Sequence, residues 1–124
     1  MPDPITFHDA RASIEVADVA TALAFFTDVV GLDVEATMGE PLTFALVRGG
    51  GVALGLAGVD APAELAIAPV FVTLSPLDAL AERLAAAGVA LESEPTTRPW
   101  GLRDLVVRCP GGGPLVAFGE QVAP

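Results

Sequence analysis

Apolar residues follow two different rhythms along this chain, and the two alternate twice. From Val19 to Val30 they recur at Val19, Leu23, Phe26 and Val30, the spacing of an amphipathic helix, with Asp18 placed to cap its start and Gly31 to stop it. The same spacing returns at Leu77, Leu80, Leu84 and Ala87, where Ser75 takes the cap, Pro76 the first helical position and Gly88 the stop. Around each helix the pattern shortens to apolar runs and alternation. It predicts strands over about 11–16, 32–38, 42–48 and 52–57, and again over about 69–74, 89–94, 102–108 and 114–119.

The second set repeats the first. Asp18 corresponds to Ser75, Leu23 to Leu80, Gly31 to Gly88, Val34 to Leu91 and Glu35 to Glu92, each pair the same distance apart. With a small shift, the run Leu42 to Arg48 before Gly49-Gly-Gly51 matches Leu102 to Arg108 before Gly111-Gly-Gly113. Each half reads strand, helix, strand, strand, strand, so the expected fold class is α+β. A single domain over 1–124 would consist of two βαβββ modules in tandem, about 10–58 and 68–120, joined by a linker at Gly58–Ala68 and forming a curved mixed-sheet cleft. Strand alternation turns Ile14, Val16, Val70, Val72 and Leu74 under the helices. It turns Arg11, Ser13, Glu15, Pro69, Phe71 and Thr73 into the cleft, with Ala53, Gly55, Leu115, Ala117 and Gly119 on the same side.

Composition narrows what such a cleft does. The chain is 52% hydrophobic and 18% charged, with 16 Asp and Glu against six basic residues, all Arg. A formal charge of -10 disfavours nucleic acid and anionic membrane surfaces. Without lysine there is no Schiff-base chemistry and no P-loop. One histidine, His8, cannot supply a two-histidine metal motif, and the lone Cys109 cannot form an intramolecular disulfide. With no basic-then-apolar leader and no long apolar run, the expected location is the cytoplasm.

A doubled module that begins Ile14-Glu-Val-Ala-Asp18 and continues Ala22-Leu-Ala-Phe-Phe26-Thr-Asp-Val-Val-Gly31 resembles the vicinal oxygen chelate superfamily of glyoxalases, extradiol dioxygenases and bleomycin resistance proteins. The segment Pro99-Trp-Gly-Leu-Arg103-Asp, followed by Cys109-Pro-Gly-Gly-Gly113, is similar to one frequent in the bleomycin-resistance-like branch. The resemblance implies the glyoxalase/bleomycin resistance fold, a homodimer, and, in the enzymes, a divalent metal held by four cleft-facing His, Gln or Glu side chains. Those four positions fall on Arg11, Gly55, Pro69 and Ala117, none of which ligates a metal. A shift of two residues offers Ser13, Phe71, Ala53 and Leu115 or Gly119, and no better donors. No metal and no cofactor are therefore expected.

The remaining polar and aromatic residues have two readings each. His8 reads as a solvated histidine beside the first strand, Cys109 as a small turn residue, and both Gly-Gly-Gly runs as strand-to-strand turns. Asp33 with Glu35, and Glu92 with Glu94, are either solvated strand faces or, together with Glu15, a cleft lining that concentrates a cationic ligand. Trp100, alone of its kind, is either core or the wall of a site, while Phe71, Phe44 and Met38 offer an apolar stacking surface. Phe25, Phe26 and Phe118 read as core. Arg103 anchors the Trp100 loop or contacts a ligand.

The expected function is metal-free binding and sequestration of a small cationic or aromatic molecule, antibiotics included. The ligand-binding set is Ser13, Glu15, Glu35, Met38, Phe44, Phe71, Trp100 and Arg103, with no catalytic residue. The alternatives are a lyase, isomerase or dioxygenase relative, with a displaced metal site or acid/base chemistry by Glu15, Glu35 or Glu92, and a regulatory partner whose cleft is empty.

Overall fold

A computed structural model describes residues 3–122. Strand β1 (Ala12–Val16) leads into helix α1 (Val19–Ala24), a π-helical segment (Phe25–Val30), and strands β2 (Asp33–Met38), β3 (Phe44–Gly49) and β4 (Val52–Gly58). The second module repeats this order with β5 (Val70–Thr73), α2 (Leu77–Ala86), β6 (Leu91–Thr97), β7 (Leu102–Arg108) and β8 (Leu115–Gln121). Each module forms its own four-stranded mixed sheet, ordered β1-β4-β3-β2 and β5-β8-β7-β6. In both, the first strand pairs parallel with the fourth and the other neighbours are antiparallel. This is the α+β fold of two βαβββ modules, with strand ends within three residues of the sequence reading.

Two helical details differ from expectation. The first helix is not α-helical to its end: from Phe25 to Val30 it continues in π-helical turns, within which the Thr27 hydroxyl donates to the Leu23 carbonyl at 2.9 Å. Gly31, with φ 101, closes these turns. Phe25 and Phe26 are both buried, their rings edge-on at 5.0 Å. In the second module Ser75 caps nothing and Pro76 is not the first helical residue. With ψ 139 Pro76 is extended and occupies the cap position itself, so helical geometry begins at Leu77 and Ser75 stands too far back to reach it. Asp18 behaves as expected: it accepts from the Thr21 N–H and hydroxyl, which hold its carboxyl below the usual range.

The core is shared between the modules. Val16, Phe26, Val47, Leu54 and Leu56 belong to one buried cluster with Leu77, Leu84, Leu105, Val107 and Phe118. Both helices lie on the inner faces of the sheets, and α2 packs on the π-helical segment, where Arg83 donates to the Val30 carbonyl. The β7–β8 turn fastens the halves: the Gly111 carbonyl accepts from Ala17 and Asp18 N–H at 3.0 and 2.9 Å. Gly111 has φ 92, and a Cβ there would stand 2.6 Å from the Asp18 carbonyl oxygen. Cys109 lies beneath the same turn, and burial pushes its thiol from 9.0 up to about 12.

Three outcomes follow. Gly111→Ala should destabilise by about 2–4 kcal/mol, because a left-handed backbone and a backbone clash combine, whereas Gly50→Ala, with φ 54 and open space around it, should cost about 1 kcal/mol. Urea titration of both variants checks the difference. Leu84→Ala should cost roughly 2–5 kcal/mol in the same assay. At pH 8 the native Cys109 should alkylate about a thousandfold more slowly than in denaturant, and the stability conferred by its neutral thiol should be present below pH 9 and lost as pH rises toward about 12.

Candidate functional site

Each sheet ends in a strand with one free edge, β1 in the first and β5 in the second. Ala10, Arg11 and Ala12 border a cavity of about 520 Å³ together with Val70 to Thr73, whereas Ser13 to Glu15 border a second, of about 390 Å³, with Pro69. The two edges thus run side by side in opposite senses, unpaired, with space between them. A volume of this order is that of a small-molecule site. The larger cavity is walled by Val52, Ala53, Val70 and Phe71 and closed at one end by the β3–β4 turn. Arg11 is its one charged residue and Thr73 brings its one side-chain hydroxyl. The smaller cavity carries Glu15 and Ser13 among Ala63, Leu65 and Pro114.

Glycines let aromatic rings lie against the open faces of both sheets, the faces turned away from the helices. A Cβ at Gly119 would overlap the ring of Phe71. One at Gly55 would come within 2.7 Å of the Ser13 hydroxyl and 3.2 Å of the Phe44 ring. The residues at the four positions implied for a metal therefore do not fit one. Arg11 and Pro69 offer no lone pair, Ala117 no donor, and the space beside Gly55 is filled by an aromatic ring. Among the described residues, no three His, Cys, Asp or Glu stand close enough together to hold an ion.

Of the eight residues expected to bind a ligand, the structure brings three to the seam: Phe71 on the larger cavity, Ser13 and Glu15 on the smaller. Phe44 and Met38 face each other across β3 and β2 on the open side of the first sheet. They share that side because a bulge between Val34 and Ala36 reverses the alternation along β2. Glu35, at that bulge, is bound by Arg48 at 3.1 Å. Trp100 sits at the tip of the β6–β7 turn, 70% exposed, and borders neither cavity. Arg103 is turned to the helix side of β7, where it grips Asp78 of α2 at 2.7 Å, so it anchors a helix and not the Trp100 turn. Glu92 and Glu94 do not share a regular strand face: bulges interrupt β6 on both sides of Ser93, and Glu94 lies beside Ala81 and Ala85 of α2. His8 is exposed in the irregular segment ahead of β1.

The Trp100 turn is held through Asp104, but by Arg98 and not by Arg103. Arg98 donates to both carboxylate oxygens of Asp104, at 3.0 to 3.4 Å, and Asp104 is the one buried charged residue among those described. The signal was present in the spacing, since an Arg and an Asp placed on either side of a turn with Gly101 meet when the strands pair.

Solved structures similar to this one share its whole architecture. TnmS3, an antibiotic binding protein from Streptomyces sp. CB03234, superposes with a TM-score of 0.72 at 22% identity, over 95% of this chain and 99% of its own. The bleomycin-binding protein of Streptomyces verticillus, complexed with copper(II)-bleomycin, gives 0.71 at 21% over 98% and 100%. A lactoylglutathione lyase from Agrobacterium tumefaciens gives 0.67 at 22% over 96% of both chains. At these identities the likeness is one of fold. No curated protein sequence matches the chain. The family model that does match covers residues 10–116, nearly all of both modules, and by it this chain belongs to the Glyoxalase/Bleomycin resistance protein/Dioxygenase superfamily.

Proposed function

We propose that this chain binds and sequesters a small organic molecule in the seam between its modules, without metal chemistry. The observation that carries this reading is the pairing of a roomy, mostly apolar seam cavity with four positions that offer a metal nothing to bind. Similar folds in TnmS3 and the bleomycin-binding protein support it, since both are named for what they bind. The lyase alternative has less to work with: Glu35 is tied to Arg48, Glu92 lies at a bulge of an outer strand, and Glu15 stands by itself at the smaller cavity. Ligand contact is assigned to Phe71, Ser13, Glu15 and Phe44. Met38, Glu35 and Trp100 stand farther out, within reach of a bulky ligand or a second copy of the chain.

A homodimer belongs to the same reading. Ile5 and Phe7 are 80% and 89% exposed in the segment before β1, and Ile67 of the linker is exposed as well, apolar surface that a second copy would cover. The proposed location is the cytoplasm, consistent with a single, unpaired, buried cysteine. No helix among the described residues is long and apolar enough to cross a membrane.

Three measurements test these statements. In a thermal-shift screen of planar aromatic antibiotics, cationic glycopeptides and small organic acids, a true ligand at a hundredfold excess over its Kd should add about 2.7 kcal/mol, a rise of roughly 10 °C in a domain of this size. Phe71→Ala should remove most of that rise. Protein purified without chelator should carry no stoichiometric Zn, Ni, Mn or Fe; a full complement of any of them, stabilising the fold, would overturn the metal-free reading. Light scattering should give about 25 kDa, twice the 12.6 kDa chain.

A further inference from the structure

We infer that the larger seam cavity selects organic anions, with Arg11 as the anchor for a carboxylate or phenolate and Phe71 as the wall for its ring. This rests on the small-molecule reading above and narrows it to a ligand class opposite in charge to the one that the overall acidity favours. Four of the six arginines are already engaged: Arg48 with Glu35, Arg98 with Asp104, Arg103 with Asp78, and Arg83 with the Val30 carbonyl. Arg11 forms no ion pair and no side-chain hydrogen bond with any described residue, so its five N–H donors are available. It stands at the rim of a cavity that contains no other charge.

The net charge of -10 does not cancel this local preference. At physiological salt a charge is screened over about 8 Å; Glu15, four residues further along the chain, lies roughly 13 Å away, and Asp9, two residues before Arg11, is exposed to water and does not line the cavity. Glu35, the carboxylate with the best claim to the open face of the first sheet, has its charge taken up by Arg48. What an entering molecule meets is therefore one guanidinium, one hydroxyl from Thr73 and apolar walls. A planar anion satisfies all of them: its oxygens accept a forked pair of hydrogen bonds from Arg11 and its ring lies on Phe71. A cation would bring its charge to the one place already positive.

The test uses three probes of one shape: naphthalene-2-carboxylate, the neutral naphthalene-2-carboxamide and the cationic naphthalen-2-ylmethylammonium, titrated calorimetrically into the intact protein. The carboxylate should bind about tenfold or more tightly than the amide, and the ammonium most weakly. Arg11→Ala should bring carboxylate and amide together, Arg11→Glu should invert the order, and neither exposed-site variant should change the melting temperature of the free protein. Phe71→Ala should weaken all three alike. Equal binding of carboxylate and amide by the unaltered protein, or a preference that survives Arg11→Ala, overturns the anion assignment and leaves the binding reading in place. Failure of all three to bind at millimolar concentration overturns the anion assignment, and the thermal-shift screen above then decides the binding reading by itself.

Discussion

Neither half of this chain can close a core alone. A sheet of four short strands covered by one helix buries too little apolar surface to offset the conformational entropy of some fifty residues. The two modules solve this by pooling their inner faces, so that Phe26 and Val47 share one dry cluster with Leu84 and Phe118. The stability of each half is in that sense conditional on the other. The Gly111 carbonyl, held by two N–H groups at the entrance to α1, fixes how the halves meet.

The same constraint creates the seam. Pooling the helices brings β1 and β5 alongside each other, but each has spent its hydrogen bonds on one side only, with β4 and β8. The edges that face each other form no ladder, and the gap persists as two cavities. An unpaired strand edge is ordinarily an aggregation hazard. Here each edge faces the other across a narrow space that is wide enough for a ligand. Fold and site are therefore products of one packing decision, and substitutions in the shared core should be felt at the seam.

Much of this was legible in the sequence because it depends on local periodicity. The doubled order of elements, the burial of Ile14 and Val72 and the outward turn of Phe71 all follow from spacings of two and of three to four residues. What escaped depends on how strands pair. Bulges in β2 and β6 insert residues that no alternation rule anticipates, and they separate Glu92 from Glu94 while bringing Met38 opposite Phe44. Arg103 and Asp104 are neighbours in sequence, so one residue of register decides which of them grips α2 and which holds the turn through Arg98. The π-helical turns from Phe25 to Val30 carry apolar residues at spacings that an α-helix fits as well, so the pattern does not mark them. Nor does a repeat predict the gap between its copies, since that is set by how two cores merge.

Charge is where counting residues and placing them diverge most. Sixteen carboxylates against six arginines describe an acidic protein, and composition by itself points to a cationic ligand. Electrostatics at a binding site is decided within a screening length, however, and three of the arginines consume carboxylates one for one. The arginine left over at the seam then outweighs acids that are more numerous but distant or exposed to water, where each counts for little. The excess of negative charge elsewhere works against an anion only at long range, where salt screens it. It slows the approach, and the preference at the site is set by contact and geometry, where oxygen meets guanidinium.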